Sequence, residues 1–287
     1  MTTSTLTQIS DHVYWMPPGQ PDRPSLCAVV GSQFTLMLDA GASAAHARLF
    51  LDVLRQAGVP APAYVALTHW HWDHVFGAAE IGVPLIAHQA TAGQLAVLAG
   101  YDWSNAALDQ RVITGEEITM CAEDIKVELP EPRHIRIIPP SLIFTESLEL
   151  NLGDVTCSIT HVGGDHAADS CIMYIAPDKV LFLGDCLYEA IYTPRRHYTM
   201  QRLFPLLDKV LSYDAQHFVE GHTPTVLTRG EIEAMAAKMR LAGTLVEQNG
   251  ENKDAILQLA EAQTGHPPDD DLKDFIVSFI AGYEPSL

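Results

Sequence analysis

Val65-Ala66-Leu67-Thr68-His69-Trp70-His71-Trp72-Asp73-His74-Val75-Phe76-Gly77-Ala78 sets three imidazoles and one carboxylate within six residues, between two apolar flanks. The first flank reads as a short buried strand and the second as the opening of a helix, so the polar cluster stands at a strand-to-helix transition. Burying polar groups without partners costs about 1–3 kcal/mol each by mutational measures. Imidazole and carboxylate are ligands that zinc and related divalent ions favour. A cation is the partner that serves all four groups at once, so the cluster reads as a metal site.

Working outward, the chain alternates short apolar runs with turn residues. His12–Met16, Leu26–Gly31, Phe34–Asp39 and Ala63–Leu67 read as strands. Ser43 caps a helix running to Gln56. Val83–His88 is a further strand and Thr91–Leu98 a further helix. Residues 100–140, with Tyr101, Trp103 and prolines at 130, 132, 139 and 140, are the least regular stretch. Such a stretch reads as a lid over a site or as a decoration without a role. Strands resume at Leu142–Phe144, Leu148–Leu150, Val155–Thr160, Cys171–Ile175 and Val180–Leu183. Strands interleaved with helices indicate an α/β layer architecture. The capping-box pattern Thr228-Arg229-Gly230-Glu231 opens a helix to about Gln248, and Lys253–Gln263 and Leu272–Ala281 read as two more.

Composition bounds the class. The 287 residues are 47% hydrophobic and 18% charged, which describes a globular chain with a sizeable core. With 36 acidic against 17 basic residues the formal charge is −19, which argues against nucleic acid or an anionic membrane as the main partner. The five cysteines are scattered without a CxxC pair and read as reduced, buried thiols. The N-terminus lacks a basic and apolar leader, and no run approaches a membrane span, so a cytoplasmic location is expected.

Further polar groups appear where later strands emerge: Asp165-His166 after Gly163-Gly164, Asp185 after Val180–Gly184, and His222 after His217–Gly221. Each is weak alone, and the ordered set is specific. With it the chain resembles the metallo-β-lactamase-fold superfamily of metal-dependent hydrolases. His69, His71, Asp73 and His74 match the HxHxDH motif in full. His166, Asp185 in Leu-Phe-Leu-Gly-Asp and His222 in Glu-Gly-His match the later motifs, and Leu36–Gly41 resembles the early strand-Asp-Gly motif.

The resemblance covers roughly residues 10–225. It implies an αββα four-layer sandwich over residues 1–227, with 228–287 as a helical extension packed on the same domain. It also implies two divalent ions, zinc first, with iron or manganese as alternatives. His69, His71 and His166 would hold one ion, and Asp73, His74 and His222 the other, with Asp185 bridging. The geometry agrees: His69 and His71 alternate along an extended segment and face the same way. Asp73 and His74 follow as the chain turns into its helix. Two departures stand out. Ala167 replaces the hydroxyl residue that many relatives carry after the ligand histidine, and Asp185 stands where β-lactamases of the commonest zinc subclass carry Cys. Cys186, one residue late, faces the other way along a strand.

The implied activity is hydrolysis of a small ester, lactone, thioester or lactam by a metal-bridging hydroxide, with Asp73 orienting it and shuttling its proton. An iron-dependent sulfur dioxygenase-like oxidoreductase and a phosphodiesterase or nuclease are the rival readings. Asp39 and Asp169 are candidates to hold ligand imidazoles from behind, or equally to hold backbone amides at turns. Trp70, Trp72, Tyr188, Tyr192 and Tyr198 are candidate pocket aromatics. Arg195-Arg196-His197 is the one local basic group, read as an anion site or as a solvated loop. The expected partner is a small-molecule substrate, and the C-terminal helices either shape the pocket or form a homodimer interface.

Overall fold

Runs such as Leu36-Met37-Leu38 and Val180-Leu181-Phe182-Leu183 are apolar on both faces of a strand, so each needs cover above and below. The computed structural model describes residues 5–283. In it one sheet orders β1 (Thr7–Gln8), β2 (Val13–Met16), β3 (Leu26–Val30), β4 (Thr35–Leu38), β5 (Pro62–Ala66), β6 (Leu85–His88) and β7 (Leu142–Phe144) side by side. Pairing is antiparallel up to β4 and parallel from β4 to β7. The second sheet orders β8 (Ser147–Asn151), β9 (Thr156–His161), β10 (Cys171–Ala176), β11 (Val180–Gly184), β12 (His217–Glu220) and β13 (Leu227–Thr228), with β11 and β12 parallel.

Side chains alternate across a strand, and the buried residues sort accordingly into three layers. Leu36, Leu38, Val180 and Phe182 meet between the sheets. Met37 and Leu67 face outward onto α1 (Ala44–Gln56), α2 (Trp72–Val75), α3 (Ala78–Ile81), α4 (Gln89–Leu98), α5 (Asn105–Thr114) and α6 (Thr119–Glu128). On the far side Leu181, Leu183 and Phe218 face α7 (Met200–Leu211), α8 (Arg229–Asn249), α9 (Lys253–Thr264) and α10 (Asp270–Ala281). Helix, sheet, sheet, helix is the expected αββα sandwich. Ile232, Met239, Ile276 and Phe279 of the C-terminal helices share one apolar layer with the second sheet. All five cysteines are free and buried. Among the described residues no helix is long and apolar enough to cross a membrane.

Local signals hold at the caps. Ser43 accepts from the His46 amide at the start of α1, and Thr228 and Glu231 form both halves of the capping box of α8. Residues 100–140 depart from the expectation: they contain α5 and α6 rather than an irregular loop. Ser104 caps α5 and Gly115 closes it, but only Leu108 and Arg111 of that helix are buried and Ile113 is exposed. The apolar period that marks a helix in sequence is therefore weak there. Helix α7 is a further addition. Leu203, Leu206, Leu207 and Val210 form its buried stripe, whereas Pro205 inside it reads as a breaker.

The ligand-bearing segments leave the sheets at one edge, after β5, β11 and β12 and in the β9–β10 connection. There the backbone is stitched tightly: Ala40 N–H donates to His74 O at 2.8 Å and Gly77 N–H to Gly41 O at 2.9 Å. A Cβ on Gly77 would stand 2.1 Å from Ala40 O and 2.9 Å from Ala47 Cβ. Gly77→Ala should therefore destabilise the fold by about 1–3 kcal/mol, read by chemical denaturation; an unchanged midpoint would contradict this packing.

Candidate metal centre

Strand β5 ends at Ala66, and residues 67–71 link it to α2, which begins at Trp72; His69 and His71 on that link reach the same ligand group. The structure converges these residues with chain-distant ones in two groups. His69, His71 and His166 form one, and Asp73, His74, Asp185 and His222 the other. Within each group the candidate ligand atoms lie within 4.8 Å of one another. All seven residues singled out in the sequence are thus brought together. Asp185 Oδ2 lies between the groups, 3.2 Å from His74 Nε2, 3.3 Å from His222 Nε2, 3.4 Å from His166 Nε2 and 4.0 Å from His69 Nε2. Cys186 packs instead into the outer apolar layer.

Each ring is aimed by what holds its other nitrogen or its face. Asp39 Oδ2 accepts from His74 Nδ1 at 2.7 Å, and its carboxylate also accepts the Thr68 amide at 2.7 Å and the Thr68 hydroxyl at 2.9 Å. Because the Thr68 proton is committed to Asp39, His69 Nδ1 donates to Thr68 Oγ1 at 2.9 Å. His166 Nδ1 donates to Glu189 O at 3.1 Å. His222 Nδ1 lies 3.3 Å from Asp22 Oδ1. These rings thereby turn their Nε2 atoms toward the centre. The His71 ring is flanked by Trp70 and Tyr192, with centroids at 4.7 and 5.3 Å.

Asp39 thus takes the role of holding imidazoles. Asp169 takes the other expected role: it accepts the Thr91 hydroxyl at 2.7 Å and the Trp70 amide. Of the five aromatics only Tyr188 lines the central cavity. Trp70 and Tyr192 buttress His71, Trp72 lies in the core under the first sheet, and the buried Tyr198 donates to Leu187 O. Sequence reasoning missed several supports. Asp165 accepts from the Thr199 amide and hydroxyl, both at 2.8 Å, and so ties the His166 loop to the start of α7. Tyr188 accepts the His222 amide at 3.2 Å, and the buried Glu220 accepts the Thr223 hydroxyl at 2.7 Å. Gly221 is required sterically, since a Cβ there would stand 2.0 Å from Asp185 Oδ1.

The residues present fit a cation. His69, His71 and His166 Nε2 and Asp185 Oδ1 are buried without hydrogen-bond partners, a costly arrangement unless a metal takes their lone pairs. Burial lowers the pKa of His69, His71 and His166, so these rings are neutral, as ligands must be. At His74 and His222 burial acts in the same sense, but the carboxylates of Asp73 and Asp185 overcome it and raise both. Burial would raise Asp73 and Asp185 in turn, but His74 and His222 hold both below the usual carboxylate range. Asp22 is pushed up to about 7, by burial first and then by the Asp73 charge. The pattern is one of crowded negative charge awaiting positive charge.

Above the centre opens a cavity of about 590 Å³. His71, Asp73, His166, Asp185 and His222 form part of its lining, and Pro18, Pro21, Met120, Ile191 and Pro224 give it apolar walls. Met120 and Cys121 come from α6, so the 100–140 segment does reach the site. Arg196 is the only lysine or arginine in the lining. A second hollow of about 760 Å³ shares His166 and Ile191 and lies between the 190–202 segment and helices α8 and α10.

Known proteins agree with this architecture. A model of the metallo-beta-lactamase superfamily matches residues 21–238. The acyl-coenzyme A thioesterase MBLAC2 of Bos taurus is 24% identical over 242 residues, covering 76% of this chain and 80% of that protein. The stereoselective inverting sec-alkylsulfatase Pisa1 from Pseudomonas sp. superposes with a TM-score of 0.66 at 16% identity, over 98% of this chain and 50% of that one. A metallo-beta-lactamase from Pontibacter korlensis gives 0.56 at 16% identity, over 82% of this chain and 97% of that one. With the family match running from residue 21 to 238 and including every candidate ligand, the chain belongs to the metallo-β-lactamase superfamily.

Proposed function

We propose that the chain is a dinuclear zinc hydrolase of acyl esters or thioesters that carry an anionic group away from the scissile bond. The observation that carries this reading is the cavity itself: two ligand groups at its base, apolar walls, and one guanidinium in its lining. The resemblance to an acyl-coenzyme A thioesterase supports the acyl class. Four candidate ligands in the second group support two ions over a single iron, which lowers the dioxygenase reading.

When bound, the ions would supply an activated water and polarise the acyl carbonyl. The protein's own part follows from its geometry. His69, His71 and His166 present neutral nitrogen, and Asp185 joins the two groups. Asp73 Oδ2 faces His74 and His222 Nε2 at 3.1 and 3.2 Å. That leaves Asp73 Oδ1 to take the proton of the attacking water and return it to the leaving group. Met120, Ile191 and the prolines exclude water from an acyl chain.

Arg196 is exposed, and its guanidinium meets the Met120 sulfur at 2.9 Å. No ion pair to it occurs among the described residues, although acids outnumber bases 36 to 17 in the chain. Arg195 points elsewhere, toward Ala281 O at 3.5 Å. Arg196 is therefore placed to meet a carboxylate or phosphate on the substrate.

Elemental analysis should find two zinc ions per chain, and Asp185→Ala should lose zinc and hydrolysis together. One iron per chain, or turnover by the zinc-free variant, would overturn the reading. Zinc affinity should rise with pH: the carboxylates raise His74 and His222, so protons occupy these nitrogens at lower pH and must leave before metal binds. Proton release measured calorimetrically in several buffers checks this. Across a panel of thioesters and esters, Arg196→Ala should raise KM roughly ten-fold for anionic substrates, by the strength of hydrogen bonds to charged groups. Neutral analogues should keep their KM; an equal rise for both would remove Arg196 from recognition.

A further inference from the structure

His222 differs from the other candidate ligands. Its side chain is 27% exposed, against 1% for His69, 0% for His74 and 5% for His166. Packing therefore immobilises those three rings and leaves this one in need of a partner on its outer nitrogen. Asp22 Oδ1 stands 3.3 Å from His222 Nδ1, while His222 Nε2 faces Asp73 and Asp185.

We propose that Asp22 is the positioning residue for the His222 half of the metal centre, and that helix α6 of the 100–140 segment holds Asp22 in place. The proposal rests on the dinuclear reading above. A carboxylate behind a ligating imidazole keeps the proton on the outer nitrogen, orients the ring and increases its basicity toward a metal.

The segment carrying Asp22 is tethered at three points, which is what a positioning role requires. Gly19 and Arg23 exchange backbone hydrogen bonds at 2.8 and 2.9 Å, closing a tight turn around Asp22. Ser25 joins the turn to the strand end that bears His222: its amide donates to Gly221 O at 2.6 Å and its hydroxyl to Glu220 O at 2.7 Å. Arg23, next to Asp22, donates through Nε to both Glu128 oxygens at 3.0 Å and through Nη2 to Oε1 at 2.9 Å. Glu128 ends α6, its side chain is 2% exposed, and it also accepts the Ser43 hydroxyl. A chain of contacts thus runs from α6 through Glu128, Arg23 and Asp22 to His222.

The test is zinc titration of the full-length protein against a chromophoric chelator, with wild type, Asp22→Ala, Asp22→Asn and Glu128→Gln, and a melting curve for each. Asp22→Ala should weaken one of the two zinc-binding steps by ~10–100-fold, the usual cost of losing such a partner, and leave the other step unchanged. Asp22→Asn, which keeps an oxygen beside Nδ1 but loses the charge, should fall between Ala and wild type. Glu128→Gln should weaken the same step by less. Should Asp22→Ala fail to fold, the binding steps of Asp22→Asn and Glu128→Gln decide between the same outcomes. Two unaltered steps in folded Asp22 variants would overturn the proposal while leaving the dinuclear reading intact. Failure of the wild type to take up two zinc ions would overturn that reading instead.

Discussion

The Asp39 carboxylate is the constraint around which the site is organised. It is fully buried at the end of β4, with a backbone φ of 59° that few residues other than glycine adopt. One of its oxygens takes the Nδ1 proton of His74 directly, and its carboxylate takes the Thr68 hydroxyl that aligns His69. Those two rings belong to different ligand groups. A single anion in the first sheet thus sets the orientation of both halves of the centre. The surrounding backbone bonds, from Asp39 to Ala66 and from Ala40 to His74, keep it from relaxing. An unpaired carboxylate in this position would cost several kcal/mol, so the hydrogen bonds that aim the ligands are the same ones that make the buried charge tolerable.

The two sheets supply what Asp39 cannot, namely ligands from the other side. His166, Asp185 and His222 come from connections and strand ends of the second sheet, and all converge because the apolar layer between the sheets keeps them in register. That layer was legible in the sequence. Alternating assignment of Leu36, Met37 and Leu38, and of Val180 through Leu183, to opposite faces follows from the period of a strand and needs nothing further. The His69–His74 cluster was equally legible, since its density has no packing explanation. His166, Asp185 and His222 were weak one at a time and gained meaning only as an ordered set.

What stayed hidden has a common physical origin. Asp22, Asp165, Glu128 and the carbonyl of Glu189 act through contacts between residues distant in sequence, and each belongs to a residue type that usually sits on the surface. Nothing in the spacing of Asp22 and His222 announces that they meet. Helices α5 and α6 escaped for a different reason. Their buried positions are few, and Arg111, partly stacked on Tyr101 and Trp103 at 4.4 and 4.9 Å, takes a place on the inner face where an apolar residue would advertise a helix. Pro205 masked α7 in the same way, although its leucine stripe was present.

Charge links the centre to the rest of the molecule. A chain with a formal charge of −19 concentrates Asp22, Asp39, Asp73 and Asp185 around the ligand imidazoles, a cluster whose own repulsion would oppose folding without protons or cations to share. Protons on His74 and His222 answer that demand at one pH, and divalent ions answer it over a wider range. The same field disfavours a substrate anion near the ligands. For the acyl substrates proposed above, an anionic group would therefore gain most at Arg196, whose guanidinium meets the Met120 sulfur and no carboxylate among the described residues, and the acyl portion against Met120, Ile191 and the prolines. Electrostatics thus divides the cavity into a cation-demanding base and a rim suited to anions, which is why the proposed substrates are ones whose charge lies away from the scissile bond.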